Sequence, residues 1–139
     1  MKPALGFVPA AAWALLILWL GSRPSLSSPV DFPMVDKVAH FGMFTVLGAW
    51  LALGLHRAAV RASIAWPLVA GIAIGVLDEL HQRSVPGRTS DWLDLAADAA
   101  GCAFGLWLTH FALDRRERNR RSRTDDDVRA SNTIQEHRA

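Results

Sequence analysis

Asp36, Lys37 and His40 form one polar group in this chain, Asp78, Glu79, His81 and Gln82 a second, and Arg88, Asp91, Asp94 and Asp98 a third. Steps of three and four residues recur within these groups, which stacks side chains on one face of a helix. Carboxylates, an imidazole and a guanidinium brought together are the parts of acid–base chemistry on a phosphoryl or acyl group: Asp78 or Glu79 as general base, His40 as acid or base, Arg88 on the developing negative charge. An evident nucleophile is missing, because Ser84, Thr89 and Ser90 lie in a loop with no elbow motif around them. Without turnover, the same residues make a binding pocket in which Arg88 offers a planar fork to a carboxylate or phosphate. A third reading is a buried charge network that only holds helices in register. Hard oxygen ligands on Asp78, Asp94 and Asp98, with His40, would suit a divalent cation. Lys37 and Arg88 can pair the same acids, so no metal and no cofactor is assigned.

What must position these groups is a set of four apolar blocks, at about 4–20, 38–55, 64–80 and 93–113. The chain has 139 residues, 51% of them hydrophobic, and a positive mean hydropathy. Its apolar residues are gathered in long runs rather than spread in short amphipathic ones, which points to a membrane protein. A crossing needs about 20 residues for a typical hydrocarbon core. The first block, after Lys2, also resembles a signal peptide, but it is longer than the usual apolar core and no small-x-small cleavage site follows. Trp13, Trp19, Trp50, Trp66, Trp92 and Trp107 lie mostly near block ends, as an aromatic belt requires. The expected fold is all-α, an integral membrane four-helix bundle, with residues 1–113 as the transmembrane domain. From 114 to 139 an Arg-rich and then Asp-rich sequence has few large apolar residues and is expected to be a disordered tail. Cys102 is the one cysteine, which excludes an internal disulfide.

Ionisable side chains at hydrocarbon depth cost about 2.5–3.5 kcal/mol each on insertion scales, so a cluster of them reads as a functional site. Lys2, Arg57 with Arg61, and the arginines from Arg115 to Arg123 fall on one side of a four-crossing chain, and basic loops stay cytoplasmic. Both termini are therefore expected inside, and the loops 21–35 and 83–92, with the polar cluster, outside. The third block carries Gly71, Gly75, Asp78 and Gln82 on one stripe and the fourth carries Asp91, Asp94, Asp98, Gly101 and Gly105. Small-xxx-small spacing lets helices approach closely in lipid, so these two stripes are expected to pack together. Asp36 is placed to cap the second helix, and Arg88, after Pro86-Gly87, to serve as counter-charge to the acids. The net charge of +2, with no basic groove interleaved with aromatics, sets nucleic acid aside.

Asp36-Lys37-x-x-His40-Phe41, Gly75-x-x-Asp78-Glu79-x-x-Gln82, Val85-Pro86-Gly87-Arg88 and Asp94-x-x-x-Asp98-x-x-Gly101-x-x-x-Gly105, in this order, resemble the VanZ-like family across about residues 30–112. The resemblance implies a small multi-pass protein of the bacterial inner membrane, and the family's namesake is linked with teicoplanin resistance. Carried over position by position, it implies that Asp36, Lys37, His40, Asp78, Glu79, Gln82, Arg88 and Asp94 are the functional residues, with His81 and Asp91 second to them. Asp98 departs from the pattern, because family members usually have Asn there. The leading expectation is an envelope protein whose outward-facing pocket binds a cell-wall precursor or lipid-linked ligand and influences glycopeptide susceptibility. A membrane enzyme with candidates His40, Asp78 and Glu79, or a scaffold, stands as the alternative. Membrane lipids are the expected surroundings, and the oligomeric state is left open.

Overall fold

The computed structural model describes residues 3–23, 34–59, 63–88 and 91–136. Lys2, Arg61, the loop stretch 24–33, Thr89 and Ser90 lie outside the described residues. The elements are a 3-10 turn, Pro3–Phe7, leading into helix α1, Val8–Gly21, then α2, Val35–Ala58, α3, Ala65–Gln82, and α4, Trp92–Glu136. No strand occurs among the described residues. Two helical stretches, Ala4–Gly21 and Val35–Ala58, are long and apolar enough to cross a membrane.

Helix α2 is the centre of the packing. Phe44, Leu47, Leu51 and Ala52 on α2 are buried with Ala10 and Ile17 of α1 and Cys102 and Leu106 of α4. The indole of Trp13 donates to the Met43 carbonyl at 2.9 Å, which fixes the rotation of α1 against α2. The glycine stripes do not pair as the sequence suggested. A Cβ on Gly101 would meet the Phe41 carbonyl, one on Gly105 the Thr45 carbonyl, and one on Gly48 the Cys102 carbonyl. The closest backbone approach is thus between α2 and α4. Gly71 and Gly75 of α3 instead make room for side chains of α4, Cys102 under the first and Asp98 and Leu95 at the second. The acids of α4 still come to α3, because α3 receives their side chains in its glycine notches.

The capping also differs in detail. Asp36 stands within the first turn of α2 after an N-cap at Met34, with no side-chain cap bond, so it complements the helix dipole without capping. Asp91 caps α4, its Oδ1 accepting from the Leu93 N–H at 3.0 Å. Between α3 and α4 the Arg88 N–H bonds the Val85 carbonyl at 3.2 Å. Gly87 there has φ +80°, the third position of a type II turn, which Gly fills without strain, while Pro86 presets the second.

Helix α4 does not stop at 113. It runs to Glu136, where a disordered tail was expected. The Arg- and Glu-bearing sequence after Asp114 has no Gly or Pro, and extending an existing helix avoids the cost of nucleating one. The chain divides after Thr109 into two units, 1–109 and 110–139. In the second, the Arg115 guanidinium lies 5.5 Å from the Phe111 ring centre.

Candidate functional site

The polar residues of α2, α3 and α4 meet in the first unit as three linked contacts. Lys37 on α2 donates to Asp91 Oδ2 at 2.8 Å and to Asp94 Oδ1 at 3.1 Å. One helical turn on, His40 Nδ1 lies 2.9 Å from Asp98 Oδ1, with His40 8% and Asp98 0% exposed. The four-residue steps Asp94–Asp98 and near-matching Lys37–His40 put both pairs on facing stripes of α4 and α2. On α3, Gln82 Nε2 donates to Asp78 Oδ2 at 2.7 Å, and Arg88 donates through a terminal nitrogen to Gln82 Oε1 and through Nε to the Arg23 carbonyl, both at 3.3 Å. Glu79 Oε2 accepts the Asp91 N–H at 3.1 Å, tying the end of α3 to the start of α4.

Arg88 was expected as the counter-charge to the acids; the direct ion pairs of the cluster are made by Lys37 and His40 instead. Arg88 is aimed at neutral acceptors, where it orders the α3–α4 turn. The Asp98 carboxylate lies where it can accept the His40 Nδ1–H. Asp91, outside the helices, is held below the usual carboxylate range by the Lys37 ammonium and then by the Leu93 N–H.

A cavity of about 120 Å³ opens beside these contacts, lined by Asp36, His40, Asp78, Gln82 and Arg88 on its polar side. Its apolar side is Ile17 and Leu20 of α1 with Met43 and Phe44 of α2. The first apolar block therefore builds one wall. Gly21 closes that wall against Asp78, since any Cβ there would meet the Asp78 carboxylate. Ser22 Oγ and His81 Nε2 lie 2.8 Å apart at an exposed position next to it. The contributions of Ile17, Leu20, Gly21 and Ser22 were missed in the sequence, where the only signal was a glycine and a serine ending an apolar block.

Three carboxylate oxygens are buried with no hydrogen-bond partner among the described residues: Asp78 Oδ1, Glu79 Oε1 and Asp98 Oδ2. An orphan acceptor of this kind costs about 1–3 kcal/mol, more when charged, and of the three residues Asp78 is the one that lines the cavity. Asp36, His40 and Asp94 also place one ligand atom each within 4.8 Å of one another. All nine residues selected from the sequence, Asp36, Lys37, His40, Asp78, Glu79, Gln82, Arg88, Asp94 and Asp98, contribute to these contacts or to the cavity.

No curated protein and no solved structure matches this chain. A family model described as VanZ/LLP1 matches residues 5–113. The match takes in all four helices up to the end of the apolar part of α4, and with it the α1 wall, the Lys37 and His40 ion pairs and the Arg88 turn. With that match and two helices of membrane-crossing length, the chain belongs to the VanZ/LLP1 family of proteins.

Proposed function

We propose that this chain crosses the bacterial inner membrane as a four-helix bundle with both termini cytoplasmic. Its outward-facing pocket would hold the polar head of a cell-wall precursor or lipid-linked ligand, and through it influence glycopeptide susceptibility, teicoplanin foremost. The supporting observation is the cavity itself: Arg88, His40 and two acids on one side, four apolar side chains on the other. That pairing suits a ligand with a charged head and a greasy remainder. At about 120 Å³ it is below the usual 300–1,000 Å³ of a whole-ligand pocket, so it takes a head group and leaves the rest of the ligand in lipid.

The distribution of side chains favours the membrane setting. Asp78, Glu79, Gln82, Asp94 and Asp98 are buried, whereas Trp66 is 71%, Trp92 75% and Leu15 68% exposed. A chain that hides its acids and shows its large apolar groups is arranged for lipid as solvent. Binding is preferred over covalent catalysis because, among the described residues, no Ser, Thr or Cys lines the cavity, while Cys102 is buried in the core.

The test is to express the full chain, Asp78→Asn and Arg88→Gln at matched membrane levels in a glycopeptide-susceptible Gram-positive host. A rise in the teicoplanin concentration tolerated, lost in both variants, is the expected outcome. No shift from correctly inserted protein would refute the susceptibility reading.

A further inference from the structure

Three of the acids at the polar end of the bundle present ligand atoms at metal-binding separations or stand directly behind one that does. A carboxylate oxygen of Asp36, a ring nitrogen of His40 and a carboxylate oxygen of Asp94 all lie within 4.8 Å of one another. His40 Nδ1 is engaged by Asp98 at 2.9 Å, which leaves Nε2 as the ring nitrogen available to a ligand. Metal-bound histidines characteristically give their other ring N–H to a carboxylate, which fixes the tautomer and orients the ring. Asp98, wholly buried, stands where that carboxylate belongs. Lys37 donates to Oδ1 of Asp94, and a carboxylate has a second oxygen to offer an ion.

An independent observation points the same way. Asp78, 2% exposed, lines the same cavity as Asp36 and His40, and its Oδ1 has no hydrogen-bond partner among the described residues, as is true of Asp98 Oδ2. The network draws six carboxylates, Asp36, Asp78, Glu79, Asp91, Asp94 and Asp98, around the side chains of Lys37, His40 and Arg88.

We propose that Asp36, His40 and Asp94 bind a divalent transition-metal ion beside the cavity, with Asp98 orienting His40 from behind. One imidazole nitrogen and two carboxylate oxygens suit Mn²⁺ or Zn²⁺ better than Mg²⁺ or Ca²⁺, which take all-oxygen sets. Three protein ligands leave coordination positions open to water or to an anionic oxygen. The inference concerns the ion alone and stands whether or not the pocket takes an envelope ligand.

The experiment uses the full-length protein in detergent micelles, stripped with EDTA, and titrates it with Mn²⁺ while paramagnetic resonance follows the free ion. One Mn²⁺ per chain is expected, not displaced by a tenfold excess of Mg²⁺, with nitrogen modulation of the bound signal. Asp36→Asn, at an exposed position, and His40→Gln should weaken binding at least tenfold, and His40→Gln should abolish the nitrogen modulation. Asp98→Asn, acting through His40, should weaken binding by about 10–100-fold while the nitrogen modulation survives. Asp114→Asn, in the second unit, should bind like the parent. Binding no greater than that of protein-free micelles, equal binding in the Asp36 and His40 variants, or a bound ion without nitrogen modulation would each overturn the proposal.

Discussion

Removing His40 and Asp98 together should cost clearly less stability than the sum of removing each alone. The pair is 2.9 Å apart with side chains 9% and 0% exposed, so neither group has water to fall back on. Asp98 Oδ2 is already without a partner, and His40→Leu would orphan Oδ1 as well. Breaking a buried pair from one side costs about 3–5 kcal/mol in soluble proteins, whereas polar interactions in helical membrane proteins average about 0.6 and reach about 1.7 kcal/mol. With the carboxylate left doubly orphaned, the structure places His40→Leu near the lower end of the first range, about 3 kcal/mol. In His40→Leu/Asp98→Leu the orphan is gone, and apolar replacement of a buried pair is often neutral or better. The double variant should therefore recover at least about 1.5 kcal/mol relative to the sum of the two single variants. Equilibrium unfolding in mixed micelles with increasing SDS, followed by fluorescence of the six tryptophans, measures all four corners of the cycle. Single variants that add to within about 0.5 kcal/mol behave as independent sites, and that result would refute the pairing.

Gly105→Val should destabilise by about 1–3 kcal/mol, because the new carbon would meet the Thr45 carbonyl, a backbone atom that cannot swing aside; Gly42→Ala, with nothing within 4 Å, should stabilise by about 0.5–1 kcal/mol. The same unfolding titration reads both. Gly87→Ala forces an L side chain to φ +80° and should cost about 1 kcal/mol while lowering any phenotype that depends on Arg88. The Lys37–Asp91 pair lowers the folded-state affinity of Asp91 for protons below its value of 3.8 in the unfolded chain. Its stabilisation is therefore complete above that pH and is lost as pH falls through the lower folded value. Comparing unfolding at pH 5 and pH 2.5, Lys37→Met should lose less stability on acidification than the parent; an equal loss would remove the pair from the account.

The polar cluster was legible because lipid makes a buried charge so costly that each one stands out against an apolar block. Helical steps of three and four then said which charges share a face, and the order of the crossings said which block ends meet. Partner choice was not legible in the same way. Whether Gly101 faces α2 or α3 turns on a rotation of about one residue around α4, and a small-xxx-small stripe fits either neighbour. Arg88 was assigned to the acids by its charge and by the Pro86-Gly87 turn before it, whereas that turn aims it at the Gln82 amide and the Arg23 carbonyl. The wall contributed by Ile17, Leu20 and Gly21 carries no charge, so nothing in its composition separates it from an ordinary crossing.

A scaffold and a binding site place different demands on the buried oxygens. A network retained only to hold helices in register gains most when every buried polar atom is satisfied, since in low dielectric a half-paired group costs more than an apolar side chain of the same size. Parts of this network meet that standard: Lys37 closes Asp91 onto Asp94, and Glu79 holds the Asp91 N–H. Each of Asp78, Glu79 and Asp98 nevertheless keeps one oxygen unmet, and the Asp78 carboxylate lies on a cavity that a single methyl on Gly21 would intrude upon. Gly21 is what lets the Asp78 carboxylate sit against α1, since a side chain at that position would displace it. Gly21→Ala should accordingly leave the chain inserted while sharply weakening whatever occupies the cavity, a separation of folding from occupancy that a pure scaffold would not show.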